Sequence, residues 1–443
     1  MLTGKERLLL FYVYSKESSM KREDKKYQQY LQILHEELIP AMGCTEPIAI
    51  AYGAAKAREI LGAEPERILV DASGNLIKNV KSVVVPNTGG LKGIEAAAAV
   101  GAVAGKPEKE LEVIAAVTEA QQEELKKYLE EHEVLVRHLE SDFPFDLIIT
   151  MEAEGHTSKI RIAQYHTNIV LEEKDGEVLF SKNAEIEEEG LMDRSILNVK
   201  EILEFAETVE LDHVREVIGR QIEYNMAIAE EGLKNSYGAN VGSVLLSLYG
   251  IGIKNRAKAK AAAGSDARMS GCELPVIINS GSGNQGITVS VPVVEYAREL
   301  DVGEDKMYRA LVLSNLLAIH QKTRIGRLSA YCGAVSAGSA CGAAICYLFG
   351  GDYDAIAHCL VNSLAITSGI ICDGAKASCA AKIAFSIESA LVAYEMYKCG
   401  NEFLAGEGIV SKGVENTIIN VGRLGKDGMR ETDKEILRIM TGC

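Results

Sequence analysis

The spacing of apolar residues changes character along the chain. Between residues 22 and 60 it is helical: Tyr30, Ile33, Leu34 and Leu38 recur three or four positions apart. Pro40 ends that run, and AMGCTEPIAIAYGAAKAREIL then reads as a turn over 43–47 followed by a helix of small residues. Thr45 is placed to cap that helix, Pro47 suits its first turn and Glu46 complements its dipole. Residues 67–86, RILVDASGNLIKNVKSVVVP, alternate and predict one or two strands. A Gly-rich turn, PNTGGLKG, opens another helix, and residues 107–131 predict a charged, solvent-facing one. Alternation returns over 133–183 and predicts strands, with Lys-Asp-Gly at 174–176 as a turn. An acidic stretch at 184–194 marks a boundary, and from about residue 196 the pattern is helical with Gly-rich joints. The expected fold class is α+β. Residues 1–23 form an extension, 24–195 an α+β domain with a small mixed sheet, and 196–443 an all-α domain of tightly packed small-residue helices.

Composition narrows the function. The chain has 443 residues, 47% of them hydrophobic, and a net charge of −16. That charge argues against nucleic acid and against an anionic membrane as partners. Residues 235–253, 328–351 and 355–372 are long and poor in charge. They are rich in Gly, Ser, Asn and Cys, without aromatic belts or basic flanks, so they predict buried helices and no membrane span. The run LLLFYVY near the start lacks a small-residue cleavage site, and the soluble start is expected at Met20. Ten cysteines, clustered and unevenly spaced, do not form a secreted disulfide framework and point to the cytoplasm.

Candidate chemistry lies in a few places. Six cysteines crowd residues 331–381: Cys332, Cys341, Cys346, Cys359, Cys372 and Cys379. Cys44 stands beside a helix N-terminus, where a thiol pKa is expected to fall; an inert buried thiol is the plain alternative. Asn87, Thr88 and Gly89 sit in a turn able to hold phosphate or carboxylate at a helix start, without a nucleotide-binding fingerprint. The loop INSGSGNQG offers Ser280, Ser282, Asn284 and Gln285 to a small substrate between apolar flanks. His320, Lys322 and Arg324 can add positive charge nearby, or form an exposed face. His156 and His166 are more readily solvated or core histidines than metal ligands.

Zinc sites favour paired ligands two to four residues apart, and the chain has no C-x-x-C. Cys332, Cys372 forty residues on, and Cys379 seven further suit two helices and a turn closing three thiolates around an iron–sulfur cluster. Three thiolates leave one iron open as a Lewis acid. By spacing alone, other triplets of the six remain open.

The segments YCGAVSAGSAC and IICDGAKASC resemble the α-domain of iron–sulfur L-serine dehydratases. Here Gly374 follows Asp373 where that family has proline, and the loop is shorter. With AMGCTEPIAIAYGAAKA and NSGSGNQGI, the pattern resembles the related L-cysteine desulfidase family from about residue 24 onward. The resemblance implies a [4Fe-4S] cluster on Cys332, Cys372 and Cys379 and no pyridoxal phosphate. Residues 196–443 then form the cluster-binding domain, and 24–195 resemble the serine dehydratase β-domain. Gly43-Cys44-Thr45-Glu46-Pro47 replaces that family's Ser-His-Thr-Gly-Pro, which implies Cys44 as the base, with Thr45 and Glu46 beside it. The expected reaction is elimination of hydrogen sulfide from L-cysteine to give pyruvate and ammonia. L-Serine dehydration is the alternative, and a non-catalytic metal-binding helical protein is a further one. A homodimer is expected, and Cys443, on a Gly hinge, is either a frayed end or a cap on the open iron.

Overall fold

The computed structural model describes residues 20–184, 191–326 and 328–441; the expected extension, most of it before Met20, and Cys443 lie outside the described residues. Helix α1 (Lys25–Glu37) leads to the three-residue strand β1 (Pro40–Met42) and then to α2 (Thr45–Leu61). Strand β2 (Arg67–Ser73) is followed by helices α3 (Gly74–Val80), α4 (Gly93–Ala104) and α5 (Glu119–Glu131). Strands β3 (Glu133–Leu139), β4 (Asp146–Ala153), β5 (His156–Ala163), β6 (Ile169–Lys174) and β7 (Glu177–Ser181) complete a mixed sheet of order β3-β2-β4-β5-β6-β7. Only β2 and β3 run parallel; the other pairs are antiparallel.

Alternation explains the sheet. Ile68 and Val70, Leu147 and Ile149, and Ile160 and Ile162 are fully buried on one face. Helices α2 and α4 cover that face, and their small residues let them nearly touch. A Cβ on Gly101 would lie 2.2 Å from the Ala51 carbonyl oxygen. On the other face Arg137 pairs with Asp71 at 2.7 Å and Lys159 with Glu173 at 3.0 Å.

The remainder is helical: α6 (Val199–Thr208), α7 (Leu211–Lys234), α8 (Val241–Tyr249) and α9 (Ile253–Met269), then the short strand β8 (Pro275–Ile277). After it come α10 (Gly283–Glu299), α11 (Glu304–Ile325), α12 (Gly333–Leu348), α13 (Tyr353–Thr367), α14 (Ser378–Lys398), α15 (Val414–Arg423) and α16 (Arg430–Thr441). Helix α12 is central, packed by α10, α11, α13 and α14. Its glycines permit this: a Cβ on Gly342 would lie 2.4 Å from Ala390 Cβ. Among the described residues no helix is long and apolar enough to cross a membrane.

Three local expectations change. The second half of 67–86 is helix α3, because Leu76 and Val80, four apart, bury one helical face. The expected helix 107–131 begins only at Glu119, where Thr118 and Gln121 form a capping box; Glu110 before it has φ +46°. Helix α1 packs away from the sheet: Tyr27, Tyr30, Ile33 and Leu34 join the core of the helical half, with Phe205 against both tyrosines. The expected unit 24–195 therefore does not share one core.

Two further elements bind the halves. Strand β1 pairs antiparallel with β8, Ala41 opposite Val276. Helix α16 returns to α3, where Lys78 pairs with Asp433. Gly43, between β1 and Cys44, has φ +57°, and a Cβ there would lie 2.3 Å from Pro86 Cγ. Gly43→Ala is expected to cost about 1–2 kcal/mol from the left-handed backbone alone, with the Pro86 clash added. A thermal melt checks this, and unchanged stability would contradict it.

Candidate active site

The seam between the halves holds a cavity of about 110 Å³, room for a small ligand. Helix N-termini converge on it. Cys44 is the N-cap of α2, Ser282 of α10 and Cys332 of α12, while Cys379 lies in the first turn of α14; all four line the cavity. Each N-terminus presents the positive end of its dipole. With Arg268 and Lys322 in the wall, an acidic protein has gathered positive potential at one internal point.

The turn Asn279–Ser282 is built to stay in place. Ser280 and Gly281 have φ +50° and +78°, as the centre of a type I′ turn requires, and Asn279 and Ser282 exchange backbone hydrogen bonds of 3.1 and 3.0 Å. Beneath it, Asn225 accepts from the Ile277 N–H at 2.9 Å and donates to its carbonyl at 3.1 Å, acting as a partner strand for β8. Asn279 donates to the Asn315 side chain at 3.0 Å, and Asn315 and Gln221 donate to each other at 2.8 and 3.0 Å. Thr45 joins the two halves here: its hydroxyl lies 2.9 Å from the Gly281 carbonyl and 3.1 Å from Glu46 Oε2, both acceptors for its one proton.

Cys44 and Glu46 form a buried pair. The thiol donates to Glu46 Oε2 at 2.9 Å, and Asn79 Nδ2 donates to Oε1 at 3.0 Å. Burial, and then the Glu46 carboxylate, push the Cys44 thiol well above its ordinary value. This corrects the expected lowering by the helix N-terminus: burial without solvent outweighs the dipole. Burial also works against the Glu46 carboxylate. The His166 charge, the Cys44 hydrogen bond and Arg268 outweigh it and hold the carboxyl below its ordinary value. The proton of the pair therefore rests on sulfur.

The six clustered cysteines separate into two sets. Residues 330–332 pair with 370–372: Cys332 N donates to the Ile370 carbonyl at 3.1 Å and Cys372 N to that of Ala330 at 2.6 Å. The α12–α13 hairpin thus brings Cys332 back to Cys372. The loop after Cys372 turns at Gly374, φ +95°, against the Lys78 backbone and places Cys379 on the same cavity. Burial, and then the neighbouring Cys372, push the Cys332 thiol up to about 12. Burial also raises Cys379. Cys341, Cys346 and Cys359 are instead fully buried in the helical core, away from the cavity. In protein without metal, iodoacetamide near neutral pH is expected to label exposed Cys399 at least about tenfold faster than Cys332. Timed quenching and mass spectrometry check this; equal rates would contradict it.

Positive side chains surround the three thiols. Lys322 is buried; burial lowers its pKa while Cys372 and Cys332 pull it back up. Lys382 donates to the Ile371 carbonyl at 2.9 Å and pairs with Asp373, which Lys376 also meets at 2.5 Å.

Residues 108–438 match the family described as "Serine dehydratase alpha chain". The chain belongs to that family. Among its relatives, the "UPF0597 protein DSY1109" of Desulfitobacterium hafniense (strain Y51) is 60% identical over 422 residues, 95% of this chain and 98% of that protein. A "UPF0597 protein" of Lachnoclostridium phytofermentans is 52% identical over 414 residues, 94% of this chain and 99% of that protein. Another, of Treponema denticola, is 50% identical over 428 residues, 95% of this chain and 99% of that protein. The resemblance to serine dehydratases therefore holds at the level of the family.

The serine dehydratase stretch contains the three cavity cysteines and the turn at Ser280. Cys44 and Glu46 precede it. Of the residues singled out in the sequence, Cys44, Glu46, Ser280, Ser282, Asn284, Gln285, Cys332, Cys372 and Cys379 line the cavity. Thr45 stands behind it. Asn87, Thr88 and Gly89 do not line it, and backbone carbonyls engage the side chains of the first two: Asn87 donates to the Ile114 carbonyl at 2.9 Å and Thr88 to that of Val85 at 2.7 Å. His320 pairs with Glu415 at 2.8 Å and His156 with Asp175 at 2.9 Å, both elsewhere. His166 does line the cavity, edge-on to Phe145 at 5.0 Å. Arg268 and Asn79 also line it, and no sequence motif marks them; Tyr331, at the head of the segment YCGAVSAGSAC, lines it too.

Proposed function

We propose that this cavity eliminates the β-substituent of a small α-amino acid, with L-cysteine as substrate and pyruvate, ammonia and hydrogen sulfide as products. One observation carries the reading: the buried Cys44–Glu46 pair and the thiols of Cys332, Cys372 and Cys379 face the same cavity. The donor set fits a [4Fe-4S] cluster. It is all sulfur, set among helix N-termini and lysines that suit an anionic group. Among the described residues no group of three or more His, Cys, Asp or Glu side chains stands close enough together to hold a metal ion. A cluster on these three thiolates supplies, when bound, a Lewis-acidic iron for the β-substituent.

The chain's own residues move the proton. Cys44 takes the Cα proton as it passes its own to Glu46, so the final acceptor is the carboxylate. The electron pair of the Cα–H bond becomes the second Cα–Cβ bond, and the Cβ–S pair leaves with sulfur as hydrosulfide, which takes a solvent proton. Aminoacrylate is released, tautomerises to the imine and hydrolyses to pyruvate and ammonia. Asn79 and Thr45 fix the two Glu46 oxygens, while Ser280, Ser282, Asn284 and Gln285 hold the amino acid. No step calls for pyridoxal phosphate.

Serine dehydration is the second reading, favoured by the family to which the chain belongs. Protein reconstituted anaerobically with iron and sulfide, assayed for pyruvate and sulfide, separates the two. Higher kcat/KM on L-cysteine supports desulfidation, higher kcat/KM on L-serine supports dehydration, and no pyruvate from either rejects both.

A further inference from the structure

Arg268 is 2% exposed, and among the described residues no carboxylate forms an ion pair with it. Its Nε has no hydrogen-bond partner among the described residues. The nearby Glu46 is already engaged by Cys44, Thr45 and Asn79. A buried guanidinium left unpaired is costly, so its retention calls for a partner absent from the polypeptide. The surroundings make room for one. Helix α10 begins at Gly283, where a Cβ would lie 2.3 Å from Arg268 Nε; only glycine admits the arginine at the mouth of that helix. The N-terminus of α10 adds its own preference for an anion.

Three other buried atoms in this wall are of the opposite kind. Asn284 Oδ1, Gln285 Oε1 and Asn79 Oδ1 are acceptors with no donor among the described residues. One cationic fork and several neutral acceptors around one small cavity complement a zwitterion: carboxylate on the arginine, ammonium on the amide oxygens.

We infer that Arg268 binds the α-carboxylate of the substrate and so restricts the cavity to free α-amino acids. This rests on the elimination reading for the purpose of the site, yet it can be tested apart from it. Purified protein is melted with L-alanine, which has no leaving group, and with L-alaninol, which has no carboxylate. L-Alanine is expected to raise the wild-type melting temperature and alaninol to leave it unchanged. Arg268→Met is expected to lose the response to alanine, because the cationic partner of the carboxylate is gone. Arg268→Lys keeps a weaker response and, in reconstituted enzyme, raises KM for the amino acid by about tenfold to a hundredfold with the visible absorption of the cluster unchanged.

An undiminished alanine shift in Arg268→Met would overturn the assignment, as would equal shifts with alanine and alaninol, or none in wild type. If Arg268→Met does not fold, an undiminished response in Arg268→Lys overturns it in the same way. An arginine-dependent alanine shift in a protein that turns over no amino acid would leave the carboxylate site standing and reject the elimination. Turnover with an arginine-independent shift would reject the carboxylate site alone.

Discussion

Glu46→Gln and Cys44→Ala are each expected to lower turnover by about 10²- to 10⁴-fold, the usual worth of a positioned acid–base group. Both should retain the visible absorption of the reconstituted enzyme, because neither residue belongs to the sulfur set at Cys332, Cys372 and Cys379. The double variant should be scarcely worse than either single one, since the two groups act as a unit. The pH profile separates a relay from a preformed thiolate. The Cys44 thiol lies well above its ordinary value, so a mechanism that waited for free thiolate would gain about tenfold per pH unit from neutrality past pH 9. The Glu46 carboxyl lies below its ordinary value. A relay ending on Glu46 is competent once that carboxyl is ionised and is lost only as pH falls through its lowered pKa. A kcat flat from about pH 6 to about pH 9 is therefore expected, and a continuous rise over that range would contradict the relay.

The second large effect separates the two cysteine sets. Cys372→Ala should abolish iron retention and activity together, and so should Cys332→Ala and Cys379→Ala, because each removes one of three thiols on the cavity. Cys359→Ala should keep both and cost about 1 kcal/mol of stability, the effect of a small deletion in a packed core. Its thiol, buried in the helical core, donates to the Ala390 carbonyl at 3.6 Å. Iron content by colorimetry and a thermal melt read the two effects. Iron lost from Cys359→Ala and kept in Cys372→Ala would reverse the assignment.

Much of this was legible in the residues. The forty-residue gap between Cys332 and Cys372 suits a helical hairpin, and α12 and α13 form one. The choice among six cysteines was not legible by spacing, because burial in the core or exposure to the cavity is decided by helix packing. Asn87, Thr88 and Gly89 look like an anion site in sequence; nothing local reveals that Ile114 and Val85 use their donors. Arg268 stands in KNRAKAKAAAGSDARM, a segment with basic residues and alanines but no recognisable motif. Its setting among Ala263, Gly264 and Ala267, all buried, was the available signal that its face is internal. Helix α1 showed its period but not its partner, since the contacts of Tyr27 and Tyr30 with Phe205 span most of two hundred residues.

The most direct measurement is anaerobic reconstitution of the full chain with ⁵⁷Fe and sulfide, followed by Mössbauer spectroscopy before and after L-cysteine. About four irons per chain are expected, with one environment distinct from the rest and altered by the amino acid. Iron below about one per chain, or a spectrum that L-cysteine leaves unchanged, would contradict a sulfur-held cluster facing an amino-acid site.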